Sequence, residues 1–131
     1  MTALLEPRVL KWQALVAPAT PVPTPWPKDA FEARQREFQA LRRKIREERR
    51  PEAEMSALFR EEQAHATGLL GSAAHAAQVG AFQGANYDAR AFYRPQIDCV
   101  MFTRDEVPFC RVCQDALDRM IDLHAGPTRD E

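Results

Sequence analysis

Hydrophobic residues recur at helical spacing in three segments of the chain, and this periodicity predicts three amphipathic α-helices. The first segment, 28–50, carries its apolar stripe on Phe31, Phe38, Leu41 and Ile45. The second, which follows Pro51, carries its stripe on Met55, Leu58, Phe59, Ala66, Leu69 and Leu70. The third begins near Pro108 and ends at Gly126, with its stripe on Val112, Ala116, Leu117, Met120 and Ile121. The short connection at Pro51 predicts that the first two helices form an antiparallel hairpin.

Charged residues mark the start and the polar face of the first helix. Asp29, with Glu32 three residues later, predicts an N-cap with a capping box. Basic residues cluster between positions 42 and 50, and acidic residues lie among or beside them at helical-neighbour distances: Glu37, Glu47 and Glu48. We therefore expect a solvated, internally paired face and no nucleic-acid partner.

Proline dominates the segment before the first helix, because six of the ten prolines lie within residues 1–27. Proline fixes φ and disfavours a helical predecessor, so this stretch is predicted to be extended. It suits either a ligand for an SH3-type groove or an ordered arm that lies over a core with Trp12 and Trp26. We favour the ordered arm.

These patterns divide the chain into four parts within one domain. They are a proline-rich extended arm, a helical hairpin, a block that ends in a C-terminal helix, and a polar tail, at 1–27, 28–70, 71–124 and 125–131 respectively. The block lacks helical periodicity before its final helix, which predicts loops or short strands there. The predicted fold class is mainly α with extended and irregular segments.

Composition excludes several function classes. The 131 residues include 18 basic and 19 acidic side chains, for a net charge of −1, which is typical of a soluble globular protein. No apolar run is long enough to cross a membrane, so no membrane partner is expected. The N-terminus lacks a signal-peptide pattern, which predicts a cytoplasmic protein as the chain stands and an extracytoplasmic one if it derives from a secreted parent.

The histidines show no metal-binding spacing. His65, His75 and His124 form neither an HExxH motif nor an i, i+4 pair. Phosphate-binding glycine loops and nucleophile elbows are also missing from the sequence. We expect no catalytic residue, no metal ligand and no cofactor in this chain.

Three motifs between residues 79 and 113 carry a resemblance to a known family. VGAFQGANY is followed by FYRPQIDCVM and then by PFCRVC. This combination resembles the C-terminal region of the IgA-peptidase-type zinc metallopeptidases, and with the proline-rich segment the resemblance covers roughly residues 8–124. The chain departs from the family pattern at Gln83, where Glu is usual, and at Ala91, where Gly is usual.

The resemblance implies a function for the intact family and a role for this part of it. Family members hydrolyse peptide bonds with a zinc ion held by an HExxH helix, which lies upstream of this region. The chain is then a partial, C-terminal piece of an α+β zinc-peptidase domain that buttresses the zinc domain and is inactive alone. Its partner would be an HExxH-bearing domain or subunit, or a second copy of itself. The alternative function is a free-standing protein-interaction module with no peptidase role.

Four residues of the family-like block are candidates for substrate-cleft or structural roles: Tyr87, Tyr93, Arg94 and Met101. Arg94 precedes Pro95, which holds it extended, and its guanidinium suits a carboxylate. We expect that carboxylate to come from Asp88, from Asp98 or from the HExxH-bearing domain. The segment from Asp98 to Met101 resembles the Met-turn of related zinc peptidases, which forms an apolar floor beneath the metal.

Three cysteines leave several pairings open. Cys110 and Cys113 have CxxC spacing, and Cys99 is the third thiol. A Cys99–Cys110 or Cys99–Cys113 disulfide ranks first if the parent protein is extracytoplasmic. Reduced buried thiols rank second, and zinc held by all three thiolates ranks third, because a closed zinc site needs four ligands.

Large apolar residues are dense in the segment 79–109, which predicts an exposed patch for a partner or for self-association. They are Phe82, Tyr87, Phe92, Tyr93, Ile97, Val100, Met101 and Phe102.

Overall fold

Helices and one small antiparallel sheet form the regular structure of the chain. A computed structural model describes residues 2–3, 10–85, 87–103 and 106–126. The helices in these ranges are α1 (Lys28–Glu47), α2 (Glu52–Gly71) and α3 (Arg111–Ala125), and the strands are β1 (Thr2–Ala3), β2 (Phe82–Ala85) and β3 (Asp88–Arg94). The prediction of a mainly helical fold with irregular segments is confirmed.

The predicted helical hairpin is present in α1 and α2. Phe38 and Ile45 of α1 pack against Met55 and Leu58 of α2 and form a buried cluster. These four side chains share helical spacing on their own helices, so the apolar stripes of the two helices face each other.

The N-cap prediction for α1 is wrong. Pro27 occupies the N-cap position, and its carbonyl accepts the first helical hydrogen bond from Phe31 N–H at 3.0 Å. The fixed φ of proline suits the entry to a helix, so the helix begins at Lys28. Asp29 lies inside the first turn, where its negative charge still favours the helix dipole.

Ion pairs cover the polar face of the hairpin, as the sequence predicts. Arg42 pairs with Glu62 across the two helices, and Lys44 pairs with Glu48 within α1 at 3.9 Å. Arg50 pairs with Glu54 at the start of α2. The basic residues named here are therefore matched by acidic neighbours.

Residues 10–27 of the proline-rich arm lie along residues 78–83. Trp12 Nε1 donates to the Gly80 carbonyl at 2.7 Å, and Thr24 N–H donates to the Ala81 carbonyl at 2.8 Å. Thr24 Oγ1 in turn accepts from Ala81 N–H at 2.9 Å. A Cβ at Gly80 would lie 2.1 Å from Thr24 Oγ1, so only glycine permits this close approach. Residues 10–27 therefore pack over a core, as expected, while residues 1 and 4–9 of the predicted arm lie outside the described residues.

The sheet positions the end of β3 beside the second core cluster. The strand order is β1–β3–β2, and Phe82 of β2 pairs with Arg94 of β3. Phe82 packs with Leu70 and Ile97, and Trp26 and Phe31 pack against this cluster.

The predicted exposed patch forms only in part. Phe82 and Ile97 are buried, because they fill the cluster between the sheet and the helices. Tyr87, Val100 and Met101 are exposed.

Helix α3 presents its apolar stripe to solvent. None of its residues is buried, and its exposed apolar side chains include Leu117, Met120, Ile121 and Leu123. Only its first turn reaches a core cluster, where Val112 packs against Leu10, Trp12 and Ala81. No helix in the part of the chain that the structure describes is long and apolar enough to cross a membrane.

Candidate functional site

A cleft of about 1000 Å³ lies between the hairpin, the sheet and the turn that follows β3. Three of the four predicted site residues line it: Tyr87, Arg94 and Met101. Trp26 and Phe102 form part of its apolar wall. The structure therefore brings together residues from the arm, the sheet and the Met101 turn.

Arg94 lies within an aromatic cage at the edge of this cleft. Its guanidinium carbon is 4.4 Å from the ring centroid of Trp26 and 5.9 Å from the centroids of Phe31 and Phe102. The residue is only 6% exposed. Aromatic faces stabilise a cation, yet they accept no strong hydrogen bond from its N–H groups.

The guanidinium of Arg94 is buried without a carboxylate partner among the described residues. Its Nε and Nη2 atoms are inaccessible to solvent and have no hydrogen-bond partner. Burial lowers the pKa of Arg94 to about 10, while the negative charge of Asp98 opposes this shift. A buried guanidinium whose N–H groups find no acceptor among the described residues is unusual.

The two predicted carboxylate partners within the chain bind other groups, so that part of the prediction is wrong. Asp88 Oδ1 accepts the backbone N–H groups of Arg90 and Ala91, each at 2.7 Å, and these bonds lower the pKa of Asp88. Asp98 Oδ1 accepts Cys99 N–H at 2.8 Å and the Thr103 hydroxyl at 2.6 Å. Both carboxylates therefore hold turns in place.

The remaining predicted site residues occupy different environments. Tyr87 is fully exposed in the turn between β2 and β3, where its φ is 62°. Met101 is 61% exposed in the turn that begins at Cys99, whose carbonyl accepts Phe102 N–H at 2.8 Å. Tyr93 lies on β3 and packs against the cluster of Leu10, Trp12 and Ala81, away from the cleft lining.

The three cysteines converge at the N-terminus of α3. Cys110 is the N-cap residue, Cys113 lies in the first turn, and Cys99 approaches from the preceding loop. The Sγ atoms all lie within 4.8 Å of one another, and Cys99 Sγ is 4.0 Å from Cys113 Sγ. All three are free thiols in this structure.

Burial makes two of these thiols poor nucleophiles. It raises the pKa of Cys113 to about 12 and also raises the pKa of Cys110. A reactive cysteine has a lowered pKa and an accessible sulfur, so this CxxC pair differs from a redox-catalytic one. Whether two of the thiols form a disulfide stays a prediction.

Comparison with known protein families identifies the chain. The sequence model of the IgA peptidase M64 family matches residues 1–121. The chain belongs to this family. The match is consistent with the prediction that the chain corresponds to the C-terminal region of an IgA peptidase M64. Neither a curated protein nor a solved structure matches the chain.

The catalytic zinc of an IgA peptidase M64 does not fit the described residues. His65 lies on α2, His75 binds Gln78 through Nδ1 at 2.8 Å, and His124 lies near the end of α3. The three cysteines are the only group of three or more metal-ligand side chains in the ranges that the structure describes. A hydrolytic zinc site of this class uses imidazole and carboxylate ligands, which this group lacks.

Sequence analysis missed the aromatic cage around Arg94. Trp26 belongs to the predicted arm, Phe31 to the first predicted helix and Phe102 to the predicted exposed patch. They meet Arg94 only through long-range packing, which leaves no local periodicity or spacing in the sequence. The closest indication of the cage in the sequence is Trp26, which stands near the end of the proline-rich segment.

Proposed function

We propose that this chain is the non-catalytic C-terminal part of an IgA peptidase M64 and that it buttresses the HExxH-bearing part of the enzyme. The observation that carries this proposal is the unpaired, buried guanidinium of Arg94 at the edge of the cleft. Family membership supports the link to a metallopeptidase.

The energetics of Arg94 favour an external carboxylate. The fall in the pKa of Arg94 to about 10 corresponds to roughly 3 kcal/mol of unfavourable burial of the charged form. A carboxylate from the HExxH-bearing part would accept Nε–H and Nη2–H, which fits the fork of an arginine. Such a pair forms only when the two parts meet, so it favours their association.

Exposed apolar side chains extend the surface available to that partner. Met101 and Val100 are exposed beside the cleft, and Leu117, Met120 and Ile121 form an exposed stripe on α3. Apolar surface of this kind is typical of a protein interface. Burial of this apolar surface would add to the free energy of association that the Arg94 ion pair supplies.

This role requires no chemistry from the chain itself. In the intact family the zinc ion polarises a water molecule that attacks the peptide bond. The residues of this chain bind and position other groups: Arg94 binds a carboxylate of the HExxH-bearing part, and Met101 supplies an apolar wall. Tyr87 presents its ring and hydroxyl at the entrance of the cleft.

A reconstitution experiment tests this proposal. The pure chain is assayed for peptide hydrolysis alone and after addition of the HExxH-bearing part of an M64 peptidase from the same genome. We expect no hydrolysis above background from the chain alone. With the HExxH-bearing part, sedimentation should show a complex, and hydrolysis should exceed that of the HExxH-bearing part alone.

Three outcomes would overturn the proposal. Metal-dependent hydrolysis that copurifies with the chain would show that it is catalytic. A chain that remains monomeric and forms no complex with the HExxH-bearing part would favour the alternative of a free-standing interaction module. Self-association without such a complex would also contradict the buttressing role.

A further inference from the structure

The cysteine cluster lies at the only place where α3 joins a core of the described residues. Val112 of the first turn packs against the cluster of Leu10, Trp12 and Ala81, whereas the rest of the helix is exposed. Cys110 and Cys113 flank this contact, and Cys99 lies on the loop that faces it. A bond through the three sulfur atoms would therefore fix the helix to the loop.

Backbone hydrogen bonds already arrange the loop and the helix N-terminus around the sulfur atoms. Cys110 N–H donates to Cys99 Sγ at 3.1 Å, and Arg111 N–H donates to the Gln96 side-chain oxygen at 2.6 Å. The carbonyl of Cys99 accepts Phe102 N–H, which closes the turn beside it. These hydrogen bonds hold the loop that carries Cys99 against the helix N-terminus that carries Cys110 and Cys113.

The spacing of the sulfur atoms suits a shared metal ion better than a disulfide bond. Zinc–sulfur bonds of about 2.3 Å in tetrahedral geometry place two sulfur atoms roughly 3.8 Å apart. The Cys99–Cys113 separation of 4.0 Å is close to this value, and all three Sγ atoms lie within 4.8 Å. A disulfide needs a separation of about 2.05 Å and uses only two of the three sulfur atoms.

The chemistry of the three ligands selects the ion. Thiolates are soft ligands that select zinc, copper(I) and iron–sulfur clusters over magnesium and calcium. Cys99 and Cys110 are buried, and Cys113 is half-buried. Tetrahedral zinc takes four ligands, so a water molecule would complete the set of three thiolates.

We propose that Cys99, Cys110 and Cys113 bind one Zn²⁺ ion, which fixes the first turn of α3 to the loop after β3. The role of this site is structural. It does not depend on the proposed buttressing function. Because the three sulfur atoms converge in space, we now rank the zinc site above the disulfide and the reduced thiols.

Cobalt(II) is the probe for this site, because it replaces zinc and absorbs light. The full chain is reduced, freed of metal and titrated with Co²⁺. We expect saturation at one equivalent, with sulfur-to-cobalt charge-transfer bands and the visible bands of four-coordinate cobalt. Addition of Zn²⁺ should abolish these bands. A folded, reduced chain without such bands would overturn the proposal.

Substitutions test which side chains bind the ion. Cys113→Ser should weaken Co²⁺ binding at least tenfold, whereas His75→Ala, which removes a ligand-type side chain elsewhere, should leave it unchanged. The reverse pattern would contradict the assignment. Because Cys113→Ser can also impair folding, X-ray absorption of the zinc-loaded wild type provides a second measurement. Three sulfur ligands at about 2.3 Å support the site, and fewer than three overturn it.

The redox state of the purified chain provides a further check. We expect three free thiols after the metal is removed under denaturing conditions. One free thiol, which indicates a disulfide between the other two, would overturn the zinc site.

Discussion

Two arginines show how the hairpin of α1 and α2 differs from the C-terminal block, which comprises residues 79–126. The Arg42 side chain in the hairpin is 16% exposed and pairs with Glu62, which α2 supplies. Arg94 in the block is 6% exposed, and its Nε and Nη2 have no partner among the described residues. The hairpin pairs its half-buried arginine from within, whereas the buried Nε and Nη2 of Arg94 have no acceptor among the described residues of the block.

Apolar residues show the same contrast. The hairpin buries Phe38, Ile45, Met55 and Leu58 in one cluster. Helix α3 is also amphipathic, but its stripe of Leu117, Met120 and Ile121 faces solvent. Amphipathic periodicity therefore predicts a helix in both regions but does not tell which neighbour covers its apolar face. The uncovered face in the block is the expected property of a surface that binds another protein.

Phe38→Ala should produce the largest effect. Phe38 is 0% exposed, so its truncation should lower the free energy of unfolding by about 3–5 kcal/mol. Met120→Ala on the exposed stripe of α3 should change it by less than about 0.5 kcal/mol. Chemical denaturation of the isolated chain measures both. Similar losses of unfolding free energy for the two variants would show that the α3 stripe is covered in solution. This result would contradict the difference between the hairpin and the block.

Replacement of each arginine by methionine should change stability in opposite directions. Arg42→Met leaves Glu62 unpaired and should cost roughly 2 kcal/mol. Arg94→Met removes a buried charge that has no partner among the described residues, which is stabilising, but it also removes the cation–π contacts, which is destabilising. The net effect should be to stabilise the isolated chain by about 1 kcal/mol. Thermal unfolding of the two variants under identical conditions checks the signs. A large loss of stability in Arg94→Met would indicate that a carboxylate within the chain pairs with Arg94.

The pH dependence of stability should show the Arg94 charge directly. The pKa of Arg94 is about 10 in the folded chain, which is below its value in the unfolded chain, so the unfolded state binds more protons in the pH range between the two values. Stability should therefore rise with pH in this window, by about 1 kcal/mol between about pH 9 and about pH 11. The difference between wild type and Arg94→Met isolates this contribution from other alkaline titrations. A constant difference over that range would contradict the lowered pKa.

Sequence patterns predicted the elements of this fold better than the contacts between them. Helical spacing located α1, α2 and α3, and proline and tryptophan content indicated the ordered arm. The N-cap at Asp29 was wrong because Pro27 already provides a suitable entry to the helix. The burial of Phe82 and Ile97 was also missed, since it depends on Leu70 from a distant helix.

Only the part of the candidate site that lies within a sequence motif could be predicted. The Tyr-Arg-Pro segment identified Arg94, but its aromatic cage comes from three separate parts of the chain. The carboxylates near Arg94 in sequence, Asp88 and Asp98, bind backbone and hydroxyl groups of their own turns. Local hydrogen bonds therefore outcompete a salt bridge that proximity in sequence suggests.

The affinity of the chain for the HExxH-bearing part of an M64 peptidase tests the central claim most directly. Isothermal titration calorimetry is performed with wild type, Arg94→Met and Arg43→Met, where Arg43 is an exposed residue of α1 outside the cleft lining. Loss of a buried interfacial ion pair costs about 2–5 kcal/mol, so Arg94→Met should weaken binding at least roughly 30-fold. Arg43→Met should bind like wild type. Equal affinities for wild type and Arg94→Met would contradict the account.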